Sequence, residues 1–412
     1  MTPSRSSHDN RRTALLVASM WVAYFLNYAD RQAVFAMFPA LRSDLGMDDK
    51  QLGLIGATFL WVYAFGCPIA GQLGDRFSKR LLVVLSLIVW SIITVATGFA
   101  TSALMLLTLR GAMGISESLY MPNAIALTAN AQPPGRRSRA IAALTTAQIA
   151  GTVAGSWFGG WMADRGQWKV AFFALGAIGL LYALPYALFL RCVNEEGPRG
   201  PAKAGATLAL VVLVKVRTFL LLCIVFPVFV FGLWLLYGWL PTFLHDKFTL
   251  NQSDAAFNAT VFLQGTTAVG LIGGGIFADK MYRRTKAARL WLMVASLLLC
   301  APCLYALGNC NALGNTRIAA AAFGLFSGLF MGNIFPAAFE IVPIDTRASA
   351  VGLLNFCGAI MSGFATLFGG LWKLSLGIDR LLTLTAVAYV IAGVALVIGI
   401  RRSFPSDCLT DH

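Results

Sequence analysis

The sequence is poor in charged residues and in histidine. Charged side chains make up 12% of the 412 residues, roughly half the share typical of soluble proteins, and only three histidines occur. His8 and His412 lie near the ends of the chain, and His245 lies at the outer end of an apolar run. No Ser/His/Asp arrangement, metal-ligand cluster or phosphate-binding glycine loop is found. We therefore expect neither an enzyme nor a bound cofactor or metal.

Apolar residues, by contrast, make up 58% of the chain and recur in long runs. A helix needs about 20 such residues to cross a bilayer. In chain order the predicted runs cover 13–40, 50–73, 81–99, 104–129, 140–163, 169–190, 217–243, 255–277, 289–308, 317–341, 348–372 and 379–400. The sequence thus predicts an all-α membrane protein with twelve transmembrane helices.

The formal net charge of +14 reflects 32 basic residues that are unevenly placed along the chain. If the N-terminus is cytoplasmic, most of them fall in segments on the cytoplasmic side, which is the bias found in membrane proteins. This placement favours a membrane over a nucleic acid as the partner. It predicts the cell inner (cytoplasmic) membrane, with both termini in the cytoplasm.

Two basic turns share one spacing of glycine, aspartate and paired basic residues. One runs from Gly71 to Arg80 after the second apolar run, and the other from Gly275 to Arg284 after the eighth. Internal duplication explains this better than two unrelated turns. A long polar connection divides six runs from six. The predicted parts are a cytoplasmic tail (1–12), a six-helix bundle (13–191), a cytoplasmic linker (192–216), a second six-helix bundle (217–400) and a cytoplasmic tail (401–412).

This organisation resembles the major facilitator superfamily, in which G-x-L-x-D-R-x-x-[RK]-[RK] lies between helices two and three. Ser78 stands where the family motif usually has glycine. The resemblance implies two pseudo-symmetric six-helix bundles that rock about a central site and give alternating access. We expect Asp75 to dock on a helix N-terminus in the opposite half. The gating residues that the resemblance implies are Gly71, Asp75, Arg76, Lys79, Arg80 and Asp279.

Two carboxylates, Asp30 and Glu117, lie well inside apolar runs, with Arg31 and Arg110 as basic companions. A charge at the bilayer centre costs about 2.5 to 3.5 kcal/mol on insertion scales, so such residues usually line a substrate or ion path. Arg31 is expected to be the ground-state partner of Asp30, and Arg110 shares a helix face with Glu117. Burial and a nearby guanidinium act oppositely on carboxylate protonation, which suits proton coupling. A neutral network that only ties helices together is the alternative.

Around these charges lie Asn27-Tyr28-Ala29-Asp30-Arg31 in the first run, Tyr63 in the second, Arg110 with Glu117 in the fourth and Gln148 in the fifth. These residues resemble the anion:cation symporter family, whose bacterial members import sugar acids with protons. Trp239-Leu-Pro-Thr-Phe243 resembles that family as well. The resemblance implies proton-carrying roles for Asp30 and Glu117. The resemblance implies substrate contact by Tyr28, Arg31, Tyr63 and Gln148. Tyr28 and Tyr63 could instead pack at a helix interface, and Gln148 could instead make a hydrogen bond between helices. The full set of predicted substrate-binding residues is Asn27, Tyr28, Arg31, Tyr63, Arg110, Gln148, Asn333 and Asn355.

Taken together, the residues predict a proton-coupled symporter of a small organic anion, a sugar acid or related carboxylate, acting as a monomer. The Spinster-like transporters of lysolipids or sphingolipids also have N-Y-x-D-R in the first helix and R-x6-E in the fourth. They are therefore the first alternative. A drug/proton antiporter on the same scaffold is the second.

Overall fold

The structure is a computed structural model. It describes residues 7–132, 134–191, 193, 206–282, 284–343 and 346–408, with only the backbone described at 7–11, 71, 75, 134–139, 206–210 and 348. Within these ranges the chain forms helices and no strand, which confirms the all-α prediction. The helices are α1 (Ser7–Ala36), α2 (Phe38–Leu45), α3 (Asp49–Arg76), α4 (Lys79–Gly98), α5 (Ala103–Asn130), α6 (Pro134–Ala163), α7 (Trp168–Arg191), α8 (Ala206–Lys215), α9 (Arg217–Phe248), α10 (Gln252–Tyr282), α11 (Ala288–Asn309), α12 (Leu313–Phe339), α13 (Arg347–Lys373), α14 (Ile378–Arg402) and α15 (Phe404–Asp407).

Each predicted apolar run coincides with one long helix, except that the first run is broken near its end. There α1 stops at Ala36 and α2 begins at Phe38. Pro39 lies in the first turn of α2, where its missing N–H is tolerated, whereas inside a continuous helix its ring would clash with the preceding turn. Ser78, at the position of the expected glycine, caps α4 by accepting from the backbone N–H of Leu81 at 3.4 Å.

Nine of the long helices in the described ranges are long and apolar enough to cross a membrane. The long helices outside this set are α1, α5 and α6. Buried charges lie within α1 and α5, which lowers the hydropathy of those segments. The structure therefore supports a multi-pass membrane protein, and the number of twelve crossings stays a prediction.

Contacts divide the chain into two compact units: Met1–Met47 with Trp61–Ala202, and Asp48–Leu60 with Lys203–His412. Similar helix pairs pack inside each unit. The pairs α1·α6, α4·α7 and α4·α5 in the first unit correspond in order to α9·α13, α11·α14 and α11·α12 in the second. This repetition agrees with internal duplication. Most of the predicted linker lies outside the described residues, but α8 shows that its end is helical, and the predicted domain boundaries stay a prediction.

A stripe of glycines on α6 lets α1 approach closely in the first unit. Gly151, Gly155 and Gly159 are spaced four residues apart, and a Cβ at any of them would collide with the backbone of α1 between Phe25 and Ala33. Small residues at this spacing are the usual means by which membrane helices pack at short distance. The close packing holds the middle of α1 in place, and this is where its charged residues lie.

Candidate charged site in the first unit

Four charged side chains are buried together on α1 and α5. Asp30 and Arg31 lie on α1, Arg110 and Glu117 lie on α5, and none of the four is more than 6% exposed. Helix α5 is held against α4 in the same region, because Ser86 Oγ on α4 donates to the carbonyl oxygen of Ser116 on α5 at 2.5 Å. Buried charges need partners, so their pairing decides what this cluster can do.

Arg31 pairs with Glu117 across the two helices. Arg31 Nη2 donates to Glu117 Oε2 at 2.5 Å, and Nε donates to the same oxygen at 3.2 Å. Nη2 also lies 3.3 Å from Asn27 Oδ1, one turn earlier on α1. The guanidinium carbon is 4.7 Å from the centre of the Tyr28 ring and 5.2 Å from that of Tyr63. Arg31 is therefore held by an acid, an amide and two aromatic faces.

Asp30 has different neighbours from those of Arg31. One of its carboxylate oxygens accepts a hydrogen bond from Thr94 on α4, and Oδ1 has no hydrogen-bond partner among the described residues. The opposite charge that acts most strongly on Asp30 is that of Arg110. The Thr94 hydrogen bond connects α1 to α4 in the first unit.

Arg110 is buried and has few hydrogen-bond partners among the described residues. Nη1 contacts Met113 Sδ at 3.3 Å, and the guanidinium carbon lies 5.7 Å from the centre of the Phe172 ring. Nε and Nη2 have no hydrogen-bond partner among the residues that the structure describes. A buried guanidinium with two free donors is a favourable place for a carboxylate or sulfonate group.

The expected pairing of Asp30 with Arg31 is wrong. In the structure the partner of Arg31 is Glu117, and the strongest counter-charge to Asp30 is Arg110. The physical reason is that consecutive residues of an α-helix point about 100° apart, so neighbours in sequence reach different helices. The structure buries the four predicted charged residues in α1 and α5 but pairs Arg31 with Glu117 instead of Asp30.

The remaining candidates of the first unit lie around Arg31. Asn27, Tyr28 and Tyr63 contact it directly, as described above. Gln148 is half-buried on α6, one turn before Gly151, whose position abuts Tyr28. The structure thus gathers Asn27, Tyr28 and Tyr63 at the guanidinium and places Gln148 on the neighbouring helix. Substrate contact by these side chains stays a prediction.

The two asparagines predicted in the second unit differ in their surroundings. Asn333 is fully buried, and its Nδ2 donates to the carbonyl oxygens of Leu329 at 2.8 Å and of Gly274 on α10 at 3.4 Å. These bonds join α12 to α10, as polar side chains do in membrane proteins. Asn355 on α13 is exposed. The geometry gives Asn333 a packing role, and substrate contact by either residue stays a prediction.

The basic turn after α3 binds helix ends inside the first unit. Gly71 and Asp75 are helical, but their side chains lie outside the described residues, and so does the predicted docking of Asp75. Lys79 Nζ donates to the carbonyl oxygen of Gly74, in the last turn of α3, at 2.9 Å. Arg80 Nη1 donates to the carbonyl oxygen of Val193, just after α7, at 2.6 Å. Cations at helix C-termini satisfy free carbonyls and oppose the helix dipole.

The second copy of the motif forms a chain of ion pairs. Arg289 on α11 donates to Asp279 on α10 at 2.8 Å and to Glu340, at the end of α12, at 2.7 Å. The side chain of Asp279 is largely exposed, and that of Arg76 in the first copy is exposed as well. These bonds connect three helices of the second unit. The gating role of the motif stays a prediction.

Thr94 is the site residue that sequence reasoning missed. A signal for it exists, because α4 carries Ser86, Ser91, Thr94 and Thr97 in an otherwise apolar run, and all four are buried. Hydroxyl groups on one buried face of a membrane helix indicate a partner on a neighbouring helix. The second missed contact is the Phe172 ring beside Arg110, for which an apolar run offers no distinguishing signal.

Relatives of this chain are transporters, in agreement with the expectation that it is not an enzyme. The chain is 30% identical over 323 residues to the probable sulfoacetate transporter SauU of Cupriavidus necator, a match that covers 73% of this chain and 74% of that protein. It is 24% identical over 400 residues to the hexuronate transporter of Bacillus subtilis, covering 91% and 94% of the two chains.

The fold matches a solved structure of a bacterial homolog of the human lysosomal transporter Spinster in an inward-facing and unoccupied conformation. The TM-score is 0.85, and the match covers 97% of this chain and 99% of that one. At 23% identity this likeness shows the fold alone. The family model of the Major Facilitator Superfamily matches residues 20–366. The chain is therefore a multi-pass membrane protein that belongs to the major facilitator superfamily.

Proposed function

We propose that the protein is a proton-coupled symporter of a small organic anion, such as a sugar acid or related carboxylate. The observation that carries this proposal is the buried Arg110 guanidinium, whose Nε and Nη2 have no hydrogen-bond partner among the described residues. Two relatives whose names specify anionic substrates, sulfoacetate and hexuronate, support the substrate class. On this proposal a carboxylate of the substrate completes the hydrogen bonding of Arg110.

Protons enter the scheme because the substrate and the protein's acids compete for the same cations. Glu117 occupies Arg31, and a proton on Glu117 weakens that pair and frees the guanidinium for an anion. The charge of Arg110 also acts on Asp30, although no hydrogen bond joins these two side chains, and a proton on Asp30 removes that attraction. Binding of the anion and binding of a proton therefore favour each other, which is the requirement for symport.

Charge balance gives the same result. With both acids ionised, Asp30, Arg31, Arg110 and Glu117 together carry no net charge. A bound monoanion would leave one uncompensated negative charge in a buried site, which is unfavourable, and one proton on either acid removes it. Asn27, Tyr28, Tyr63 and Gln148 would then orient the substrate around Arg31.

The proposal includes the transport cycle and the setting. Alternating access moves the site between the two sides of the inner membrane, with both termini in the cytoplasm and the protein acting as a monomer. Gly71, Asp75, Arg76, Lys79, Arg80 and Asp279 are proposed to control this change. In the second unit Asn355 is proposed to approach the substrate, whereas Asn333, which donates to α10, is proposed to join helices.

The test is transport by the purified protein in proteoliposomes. Sulfoacetate, a hexuronate and a lysophospholipid are offered in separate arms, with and without an inward proton gradient. Accumulation of an anion that a protonophore abolishes supports the proposal. Transport of the lysolipid alone would indicate a Spinster-like function, and proton-driven efflux would indicate an antiporter.

The variant Arg110→Gln tests the site itself. A charge-assisted hydrogen bond is worth about 1.5 to 3 kcal/mol, so loss of one should lower anion affinity at least about tenfold. Arg165→Gln is the matched control, because the Arg165 guanidinium stacks on Trp161 at an exposed position of the same unit. Equal affinities in the parent and in Arg110→Gln would contradict the assignment.

A further inference from the structure

Thr94 has two acceptors within reach of one hydroxyl hydrogen. Its Oγ1 makes a hydrogen bond with the carboxylate of Asp30 on α1 and lies 2.9 Å from the carbonyl oxygen of Trp90 on its own helix. Thr94 is 1% exposed. A hydroxyl group donates one hydrogen bond and accepts up to two, whereas a carbonyl oxygen can only accept. Both contacts can therefore be hydrogen bonds together only if Asp30 supplies the second hydrogen.

The number of hydrogen-bond donors allows two arrangements, one for each protonation state of Asp30. When Asp30 is ionised, the Thr94 hydroxyl donates to the carboxylate and leaves the Trp90 carbonyl to its bond within the helix. When Asp30 is protonated, the carboxyl O–H donates to Thr94 Oγ1 and the hydroxyl rotates to donate to Trp90. No proton passes to Thr94 in either case. Each state of Asp30 finds a matching partner in the same side chain.

We propose that Thr94 is a positioning residue that changes its hydrogen bond with the protonation of Asp30 and thereby sets the pH at which the transporter cycles. The proposal rests on the proton coupling proposed above. The charged groups that act on Asp30 are Arg110 and Glu117 of α5 and Arg31 of its own helix. Helix α6, which packs on α1, has no charged residue from Ala140 to Ala163, where its side chains are described.

The tyrosines of α7 lie away from Asp30 along α1. Tyr182 and Tyr186 of α7 bind Ser19 and Met20, about three turns from Asp30 along α1. On α4 the basic residues lie at the first turn, far from Thr94. Thr94 is therefore the polar group of α4 that can respond to the state of Asp30.

The first experiment is the pH profile of substrate exchange in proteoliposomes with equal pH on both sides, for the parent and Thr94→Val. Valine keeps the shape and removes the hydroxyl. The ionised carboxylate loses a charge-assisted bond, which is roughly twice as strong as the neutral bond that the protonated form loses. The half-maximal pH should therefore rise by about 0.5 to 1 unit. Thr94→Ser should restore the parent profile.

The chain offers a matched control in Thr97→Val. Thr97 is equally buried on α4, and its hydroxyl donates only to the carbonyl oxygen of Ile93 at 2.8 Å. We expect no shift of the profile in this variant. An equal shift in Thr97→Val would overturn the proposal, because it would mean that loss of any hydroxyl from α4 changes the profile.

A second readout separates positioning from packing. In an Asp30→Asn background residue 30 no longer titrates, so adding Thr94→Val should leave the pH profile of exchange unchanged. A shift in that background would overturn the proposal. Thr94→Ala, with its melting temperature measured in detergent, replaces the valine variant if that protein does not fold.

Failure of the proposal and failure of the proposed function can be told apart. If the parent is driven by a proton gradient and Thr94→Val keeps the parent's profile, Thr94 has no positioning role and the symport proposal stands. If uptake by the parent ignores the gradient, the symport proposal falls, and the role of Thr94 falls with it.

Discussion

Replacement of Glu117 by glutamine tests the coupling between Arg31 and the proton. In the structure Glu117 Oε2 receives two hydrogen bonds from Arg31, at 2.5 and 3.2 Å. Glutamine has nearly the same shape but no charge, so it imitates the protonated acid permanently. On the proposed mechanism Glu117→Gln should bind substrate and exchange it, yet fail to use a proton gradient.

The size of both effects follows from the ion pair. Removing one partner of a buried pair costs about 3 to 5 kcal/mol, and a substrate anion that takes the vacant place recovers part of this. Recovery of only about 1.4 kcal/mol raises substrate affinity tenfold. For one proton per cycle, a gradient of one pH unit supplies about 1.4 kcal/mol and supports about tenfold accumulation of a monoanion. Glu117→Gln should exceed the parent in affinity and accumulate nothing.

The assay measures counterflow and gradient-driven accumulation on the same proteoliposomes. Asp44→Asn serves as the control for loss of a carboxylate, because Asp44 is exposed and accepts a hydrogen bond from the Trp168 indole at 2.8 Å. It should behave as the parent does in both measurements. If Glu117→Gln accumulates substrate as well as the parent, Glu117 is a structural acid and the coupling scheme is refuted.

Two further predictions concern packing. Gly155→Val should lower the yield of folded protein, because a Cβ at this position collides with Ala29 on α1 and overpacking typically costs about 1 to 3 kcal/mol. The control Gly265→Val, at an open position of α10, should fold normally. Size-exclusion profiles in detergent compare the two variants. Asn333→Ala should lower the melting temperature by a few degrees, because the hydrogen bonds to Leu329 and Gly274 are lost. Its substrate affinity should be unchanged. A tenfold loss of affinity would instead place Asn333 at the substrate.

The fold could be predicted well from the sequence because bilayer crossing imposes a strong and local pattern. Apolar runs of sufficient length must be helical, since backbone groups cannot be left without partners in lipid. The repeated basic turn predicts internal duplication, and the repeated helix pairs of the two units agree with it. The break at Met37 was not predicted, although Pro39 signals it, because the apolar run continues across the proline.

The site could be predicted only as a set of residues. Charge inside an apolar run is rare enough to identify Asp30, Arg31, Arg110 and Glu117 without a structure. Their partners depend on how α1 is rotated about its axis, and that rotation is decided by the glycine stripe of α6 on which α1 packs. Thr94 became part of the site for the same reason, because the rotation turns Asp30 toward α4.

The rotation of α1 also explains why one proton and one anion would move together. Asp30 and Arg31 are joined through the backbone, and Arg110 and Glu117 share a face of α5 about 10 Å apart along the axis. Each helix thus carries one charge of either sign; Arg31 pairs with Glu117 across the two helices, and the charge of Arg110 acts on Asp30 without a hydrogen bond between them. An anion at Arg110 weakens the hold of that arginine on Asp30, and an anion at Arg31 displaces Glu117. In both cases the displaced carboxylate is left buried without its cation, and a proton is the remaining means of removing its charge.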